Sequence, residues 1–405
     1  MIELDISKKH VALQQQARMV ANNVFRPISR KYDTLEHAYP KELDLLASLL
    51  DGLNESGAGA SAKLEKGPDD GADGAGGDPK RAKNGANMAT VVGTIELCRG
   101  DVGLLLTLPR QGLGNAALAA VGTPEQKAQY AKDWISMAIT EPGAGSDSAG
   151  IRATAKLDGD EWVLNGEKIF VTAGERSSAV VVWASIDPSL GRAAIKAFIV
   201  PKGTKGMTVA RLDHKLGIRA SDTATIVFED CRIPKANILG SSEIDTKKAF
   251  AGVMKTFDNT RPLVAAMAVG VATAALERTR ELLRAAGTPV GGGRASGTYV
   301  ETELERLEAE LETAKLLTLK AAWMADNGIP NSLEASMAKA KAGRVCNEVT
   351  LKCVELLGPI GYEETELVEK WARDSKILDI FEGTQQIQIL VVARLVLGKT
   401  SAELR

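Results

Sequence analysis

The chain has 405 residues, 44% of them hydrophobic and 25% charged, with a formal net charge of −2. That is an ordinary soluble balance, too long for one simple core, so two or three packed domains are expected. Near-neutrality gives nothing that points to a nucleic-acid partner or an anionic membrane surface, and four cysteines without a CxxC pair, beside only three histidines, give neither a zinc spacing nor a disulfide framework, so no metal is expected.

Cys98, Cys231, Cys346 and Cys353 read as reduced, buried thiols of a cytoplasmic protein. The opening "MIELDISKKH" is polar and lacks a signal-peptide core. Residues 1–50 carry apolar side chains at helical spacing, interrupted at Pro27. The stretch 55–87, rich in Gly, Ala and Asp, has little to bury and reads as a mobile surface loop. Helix returns over 88–135. Within it, "GTPEQKAQYAKDW" offers Thr123 as N-cap, Pro124 at the first position and Gln126 as the capping-box partner.

From about 136 the character changes to short β-branched runs separated by Gly, Asp and Asn. "LDGDEWVLNGEKIFVT" reads as two successive hairpins, and the region 136–240 as an all-β domain, a small barrel or a sandwich. From about 241 helices resume. "PLVAAMAVGVATAAL" (262–276) is too short for a membrane span and suits a buried helix. Val300, Leu304, Leu307, Leu311 and Ala314 form a bundle seam after a Gly-rich break at 284–298. The fold class is therefore α+β multidomain: an N-terminal helical domain (1–135), a middle β-barrel or sandwich (136–240) and a C-terminal four-helix bundle (241–405).

Four stretches invite a functional reading. "ITEPGAGSDSAG" (139–150) suggests a dinucleotide fingerprint, but Ser148 stands where the third Gly belongs and no βαβ pattern follows. What remains is either a plain turn or a nest of N–H groups for a flat or anionic ligand, beside the hydroxyls of Thr140 and Ser146. "KLGIRASDT" places Arg219 and Ser221 in a loop that reads as solvated. In "FDNTRP", Asp258 and Arg261 form either a surface ion pair or the edge of a substrate entrance. In "WARDSKILDIFEGTQQIQ" a helix ends near Phe381, Gly383 suits a left-handed stop and Thr384 an N-cap for the next helix. Glu382 is thus either an exposed turn carboxylate or a base whose pKa is raised by apolar surroundings.

Taken together, "ITEPGAGSD", "LNGEKIFVTAG", "KLGIRASDT…FEDCRIP", "FDNTRP…AVGVA" and "VEKWARDSKILDIFEGTQQIQ", in that order, resemble the acyl-CoA dehydrogenase family. The resemblance runs from about residue 88 to the C-terminus and more weakly over 1–50. It implies FAD bound between the β domain and the bundle, and oxidation of the Cα–Cβ bond of an acyl-CoA thioester to a trans-2-enoyl-CoA. By this similarity Glu382 would remove the α-proton, the β-hydrogen would leave as hydride to the flavin N5, and the Glu382 N–H with a flavin ribityl hydroxyl would polarise the thioester carbonyl. Some members carry the base one position before the arginine of "FDNTR"; here that residue is Thr260, which cannot act as one.

Met137, Ile139, Thr140, Gly145, Ser146, Phe170 and Thr172 match positions lining the flavin, with Thr384 also beside the cofactor. Phe170 replaces the usual Trp. Ser146, Asp258, Arg261, Phe381 and Gly383 fall on the substrate side. Two departures stand out. The R-x-x-F-G element lent across a subunit interface to the adenosine half of FAD is missing from "RAAGTPVGGGRASGT", and Glu355 replaces a Gln that faces the cofactor. The resemblance therefore implies an electron-transfer flavoprotein as acceptor and either a homotetramer or an α2β2 heterotetramer with a related chain. An acyl-CoA oxidase and a non-catalytic partner subunit remain alternatives.

Overall fold

The computed structural model describes residues 8–44, 46, 84–109, 112–244, 251–291, 297–400 and 403, with the side chains of 8–9 and 251–259 excepted. The expected loop therefore falls mostly outside the described residues, and its last two positions already belong to a helix.

The N-terminal segment is one continuous helical path: α1 (Lys8–Val20), a π-helical turn (Ala21–Phe25) and α2 (Arg26–Thr34). Pro27 does not interrupt it, contrary to expectation, because it falls in the first turn of α2, where a missing N–H costs little. Helix α3 (Ala86–Cys98) starts at a cap supplied from far away. The Asp326 carboxylate accepts from the amides of Gly85, Asn87 and Met88 at 2.7–3.0 Å. Short helices α4 (Val102–Leu105), α5 (Leu113–Val121) and α6 (Pro124–Gln129) follow, the last with the expected Thr123–Gln126 capping box.

The middle of the chain forms one seven-stranded sheet: β1 (Ile135–Ala138), β2 (Thr154–Asp158), β3 (Glu161–Thr172), β4 (Ala179–Ser185), β5 (Ile195–Pro201), β6 (Met207–Leu212) and β7 (Thr223–Pro234). The barrel expectation is met as a half-barrel. Strand β5 pairs with one edge of β4, while β1 and then β2 share the other, and the order runs on through β3 and β7 to β6. Strand β4 is buried throughout because both faces are covered. Val180, Val182 and Ala184 point into a core with Trp162 and Phe198, while Ala179, Val181 and Trp183 point into a second core under α5.

One of the two expected hairpins is absent. Asp158–Glu161 closes β2 on β3, but Asn165 and Gly166 do not turn the chain. They sit in the long strand β3 at a shift of register against β7. The Asn165 amide group reaches across to Asp230, so the polar pair is spent on a bulge.

The C-terminal region is helical: α7 (Ala251–Ala285), α8 (Tyr299–Asp326), α9 (Ser332–Leu357), α10 (Pro359–Tyr362), α11 (Val368–Ser375), a 3₁₀ turn (Lys376–Asp379) and α12 (Gln385–Leu397). Helices α7, α8 and α9 pack on one another, and α12 lies on α9. Leu304, Leu307, Leu311 and Ala314 are buried, as the seam requires. All four cysteines are free and buried. No helix among the described residues is long and apolar enough to cross a membrane.

A buried charge cluster joins the three regions. Lys370 of α11 bonds Asp101, which caps α4, at 2.8 Å and Asp374 at 2.5 Å, all three side chains being sealed from solvent. Asp374 also accepts from the Ile218 amide of the half-barrel at 2.5 Å, and Ser29 of α2 donates to Asp101. Burial opposes the charge on Lys370, but its two carboxylate partners outweigh it and hold its pKa above the ordinary lysine value. Lys370→Met leaves two buried carboxylates facing each other without a cation. Urea unfolding of that variant is expected to show a loss of about 3–5 kcal/mol; a loss within experimental error would mean that the cluster does not hold the domains together.

Candidate active site

The loop between α11 and α12 carries Glu382. The helix ends a little earlier than the sequence suggests, giving way to the 3₁₀ turn at Lys376, and two consecutive residues then take left-handed backbone. Glu382 has φ 54° and Gly383 has φ 97°. A glutamate in that region is uncommon, and such strain gathers where a side chain has to be aimed. At Gly383 a Cβ would stand 2.3 Å from Gln388 Nε2, the movable end of a side chain, and the positive φ would strain any residue that carries one. Thr384 caps α12 by accepting from the Ile387 amide, as expected.

The loop is pinned through its carbonyls. Lys339 of α9, fully buried, donates to the Gly383 carbonyl at 2.7 Å. Gln388 donates to the carbonyls of Glu382 and Gly383 at 3.1 and 3.3 Å. Phe381 packs partly against the helical core.

Around the Glu382 carboxyl, Oε2 is buried and accepts no hydrogen bond from the described residues. Thr260 hydrogen-bonds the carboxyl, and Lys339 and Arg261 lie close enough to favour its ionised form. Burial nevertheless dominates and raises the pKa from 4.5 to about 7. Burial likewise lowers Lys339 from 10.5 to about 8, although Asp379 and Glu382 pull the other way. Arg261 is buried and directs Nη1 to Ser336 at 3.4 Å, so it is not half of a surface pair. The Asp258 side chain lies outside the described residues.

A second group forms at the β domain. Lys168, buried in β3, pairs with Glu141 at 2.7 Å and donates to the Ile139 carbonyl at 3.1 Å. Glu141 also accepts from the amides of Arg152 and Ala153. The Ile169 amide donates to the Thr140 carbonyl at 2.9 Å. The next residue, Phe170, sits at a break in register with φ 57° and is 62% exposed. An aromatic held out of the core on a strained bulge, beside the exposed turn of Gly145 and Ser146, presents a flat apolar face together with hydroxyls. That surface fits a planar ring bearing phosphates. Met137 and Ile139 send their side chains into the core under α5 and offer only backbone to a ligand. Half-buried Thr172 is paired with Thr223.

The loop 215–222 connects the two groups. It is not solvated: Ser221 and Ile218 are buried. The Asp222 carbonyl accepts from the Ala173 amide, just past Thr172, and Ile218 is tied to Asp374. A Cβ on Gly217 would lie 2.5 Å from the Arg373 backbone, so the loop rests directly on α11. Arg219 bonds the Lys215 carbonyl rather than reaching outward.

Sequence reasoning passed over Lys168, Glu141, Lys339, Gln388 and Asp379. A charged residue inside an otherwise apolar strand or helix face was the available signal for Lys168 and Lys339.

The chain resembles known proteins along most of its length. The acyl-CoA dehydrogenase middle-domain family matches residues 136–231 and its C-terminal-domain family residues 250–397. The mitochondrial short-chain specific acyl-CoA dehydrogenase of Bos taurus is 35% identical over 401 residues, covering 96% of this chain and 90% of that protein. The caffeyl-CoA reductase-Etf complex subunit CarC of Acetobacterium woodii is 34% identical over 388 residues, covering 93% and 98%. The structure of butyryl-CoA dehydrogenase from Megasphaera elsdenii superposes with a TM-score of 0.83 at 29% identity, covering 98% and 100%. The chain belongs to the acyl-CoA dehydrogenase family. It is an oxidoreductase acting on acyl-CoA, with FAD as its cofactor.

The raised pKa has a stability cost with a definite sign. Above pH 7 Glu382 is ionised in both folded and unfolded chains, and folding bears the full cost of burying the charge. Below pH 4.5 both forms are protonated and the cost vanishes. Glu382→Gln removes the charge at nearly constant shape. It is expected to be more stable than the parent by about 2–3 kcal/mol at pH 8, with the difference fading below pH ~5. Denaturant melts at both pH values measure this, and equal stability at pH 8 would mean that the carboxylate is not desolvated.

Proposed function

We propose that the protein α,β-dehydrogenates an acyl-CoA thioester to the trans-2-enoyl-CoA, with Glu382 as the base that removes the α-proton. The observation that carries this reading is the desolvated Glu382 carboxyl, with a pKa of about 7, on a loop pinned at the carbonyls of Glu382 and Gly383. A base poised near the working pH takes a proton without being permanently protonated. Phe170, Thr140, Gly145, Ser146 and Thr172 would hold the FAD, with Met137 and Ile139 contributing backbone. Bound FAD supplies the acceptor for the β-hydrogen.

Each neighbour has a part in the proton transfer. Thr260 orients the carboxyl of Glu382, occupying the position where some relatives carry the base itself. Lys339 and Arg261 steady the ionised form without restoring it to an ordinary carboxylate. The Glu382 N–H would donate to the thioester carbonyl and so acidify the α-carbon. Phe381 and Gly383 border the acyl chain, and Ser146, Asp258 and Arg261 the CoA side. The short-chain name of the bovine relative supports a short acyl group, and the Etf complex of the Acetobacterium relative supports an electron-transfer flavoprotein as acceptor.

Anaerobic addition of butyryl-CoA is expected to bleach the flavin of the parent, with kcat/KM rising as pH increases through about 7. Glu382→Gln is expected to keep the fold and the yellow flavin but to lose bleaching by at least ~1,000-fold. Full-rate bleaching in that variant would remove Glu382 as the base.

A second reading concerns assembly. Ile389, Leu390, Leu395, Val396 and Leu397 of α12 are 44–66% exposed, which supports burial against another subunit. With the cross-subunit FAD residues missing at 284–298 and Glu355 exposed in an ion pair with Lys352, a related chain is the fitting partner, in an α2β2 tetramer. Co-expression with paralogous chains is then expected to give about one FAD per two chains. A homotetramer carrying one FAD per chain would rule this out.

A further inference from the structure

Two of the chain's three histidines meet at a site unconnected with the chemistry above. Glu36 and His37 lie just after α2, and His214 lies between β6 and β7. Glu36 and His214 are 178 residues apart in sequence, which is why spacing alone gave no metal site. One ligand atom from each of the three residues lies within 4.8 Å of the others.

The carboxylate is already aimed. The Lys215 amide donates to Glu36 Oε1 at 2.8 Å, turning Oε2 to within 2.9 Å of His214 Nδ1. His37 is held as firmly: its backbone has φ 67°, and Arg176 donates to its carbonyl and to that of Ala38 at 3.3 and 2.9 Å. Both ring nitrogens of His37 are buried and have no hydrogen-bond partner among the described residues. Buried polar atoms rarely go unpaired without a reason, and a missing ion is one such reason. Strained backbone beneath a side chain with unmet bonding capacity is the pattern of a built site.

We propose that Glu36, His37 and His214 bind one divalent cation of the zinc class and that this ion clips the N-terminal helical segment to the half-barrel. Two imidazoles and one carboxylate suit Zn²⁺ or Co²⁺, whereas Mg²⁺ and Ca²⁺ prefer all-oxygen shells. Three protein ligands leave a position for water. Tetrahedral zinc sets its ligand atoms roughly 3.4 Å apart at bonds of about 2.1 Å, so no side of the triangle, at most 4.8 Å, has to close by more than about 1.4 Å, and the 2.9 Å Glu36–His214 side has to open slightly. His214, with a side chain 85% exposed, is free to swing inward. The clip sits one residue before the loop that carries Lys215 and Ile218, so the ion would brace the same connection that leads to Asp374.

The test uses the purified, FAD-loaded protein freed of metal by chelator. Titration with Co²⁺ is expected to produce visible ligand-field absorption saturating at one ion per chain, and Zn²⁺ to raise the thermal midpoint where Mg²⁺ does not. His214→Ala and His37→Asn, the latter because Asn tolerates the left-handed backbone, are each expected to weaken Co²⁺ binding by at least ~10-fold. His10→Ala is expected to bind as the parent does, and all three variants to keep acyl-CoA-dependent bleaching. Absence of saturable absorption in the parent, or binding that both site variants leave unchanged, would overturn the proposal.

Discussion

The placement of the loop that carries Glu382 rests on one buried cation. Lys370 stands between Asp101 of the N-terminal helices and Asp374 of its own helix, and Asp374 in turn takes the Ile218 amide of the half-barrel. A buried charge that loses its partner is costly, so moving any one of the three regions away strands a charge out of reach of water. Helix α11, which supplies both Lys370 and Asp374, runs straight into the turn that ends at Glu382. The fold thus sets the position of the loop through a cluster that lies apart from Glu382.

The same physics is used in opposite senses a few residues apart. At Lys370 two carboxylates outweigh burial, and the charge is locked on. At Glu382 burial outweighs Thr260, Lys339 and Arg261, and the carboxyl is left balanced near neutrality. The first arrangement gives rigidity, and the second gives a group that can gain and lose a proton. Lys339 belongs to both schemes, since it fixes the Gly383 carbonyl while lending Glu382 part of a positive charge.

Much of this was legible in the sequence where chemistry is local. The capping box at Thr123, the bundle seam through Leu304 and Leu311, and the cap at Thr384 depend on neighbours within a turn or two, and the structure shows them so. The order of motifs was enough to place the chain in its family. What escaped depends on partners distant in sequence. Asn165–Gly166 looked like a turn because its role, a bulge facing Asp230, is written in another strand. Of the two readings of Arg261, a surface ion pair or the edge of a substrate entrance, the first fails because Arg261 is buried against Ser336 of a different helix. The left-handed backbone of Glu382 itself is encoded in no local pattern.

The central claim is that a desolvated Glu382 takes the α-proton of an acyl-CoA. It is tested most directly by proton exchange on a thioester that cannot be oxidised. 3,3-Dimethylbutanoyl-CoA has α-hydrogens and none on the β-carbon, so exchange with D₂O isolates the first step from dehydrogenation. The account requires that the holoenzyme catalyse deuterium uptake at the α-carbon, followed by mass spectrometry, at a rate that rises as pH increases through about 7, and that Glu382→Gln abolish it. Uptake by the Gln variant at the parent rate, or a rate in the parent that does not change between pH 5.5 and 8.5 (roughly 1.5 units either side of that pKa), would contradict it.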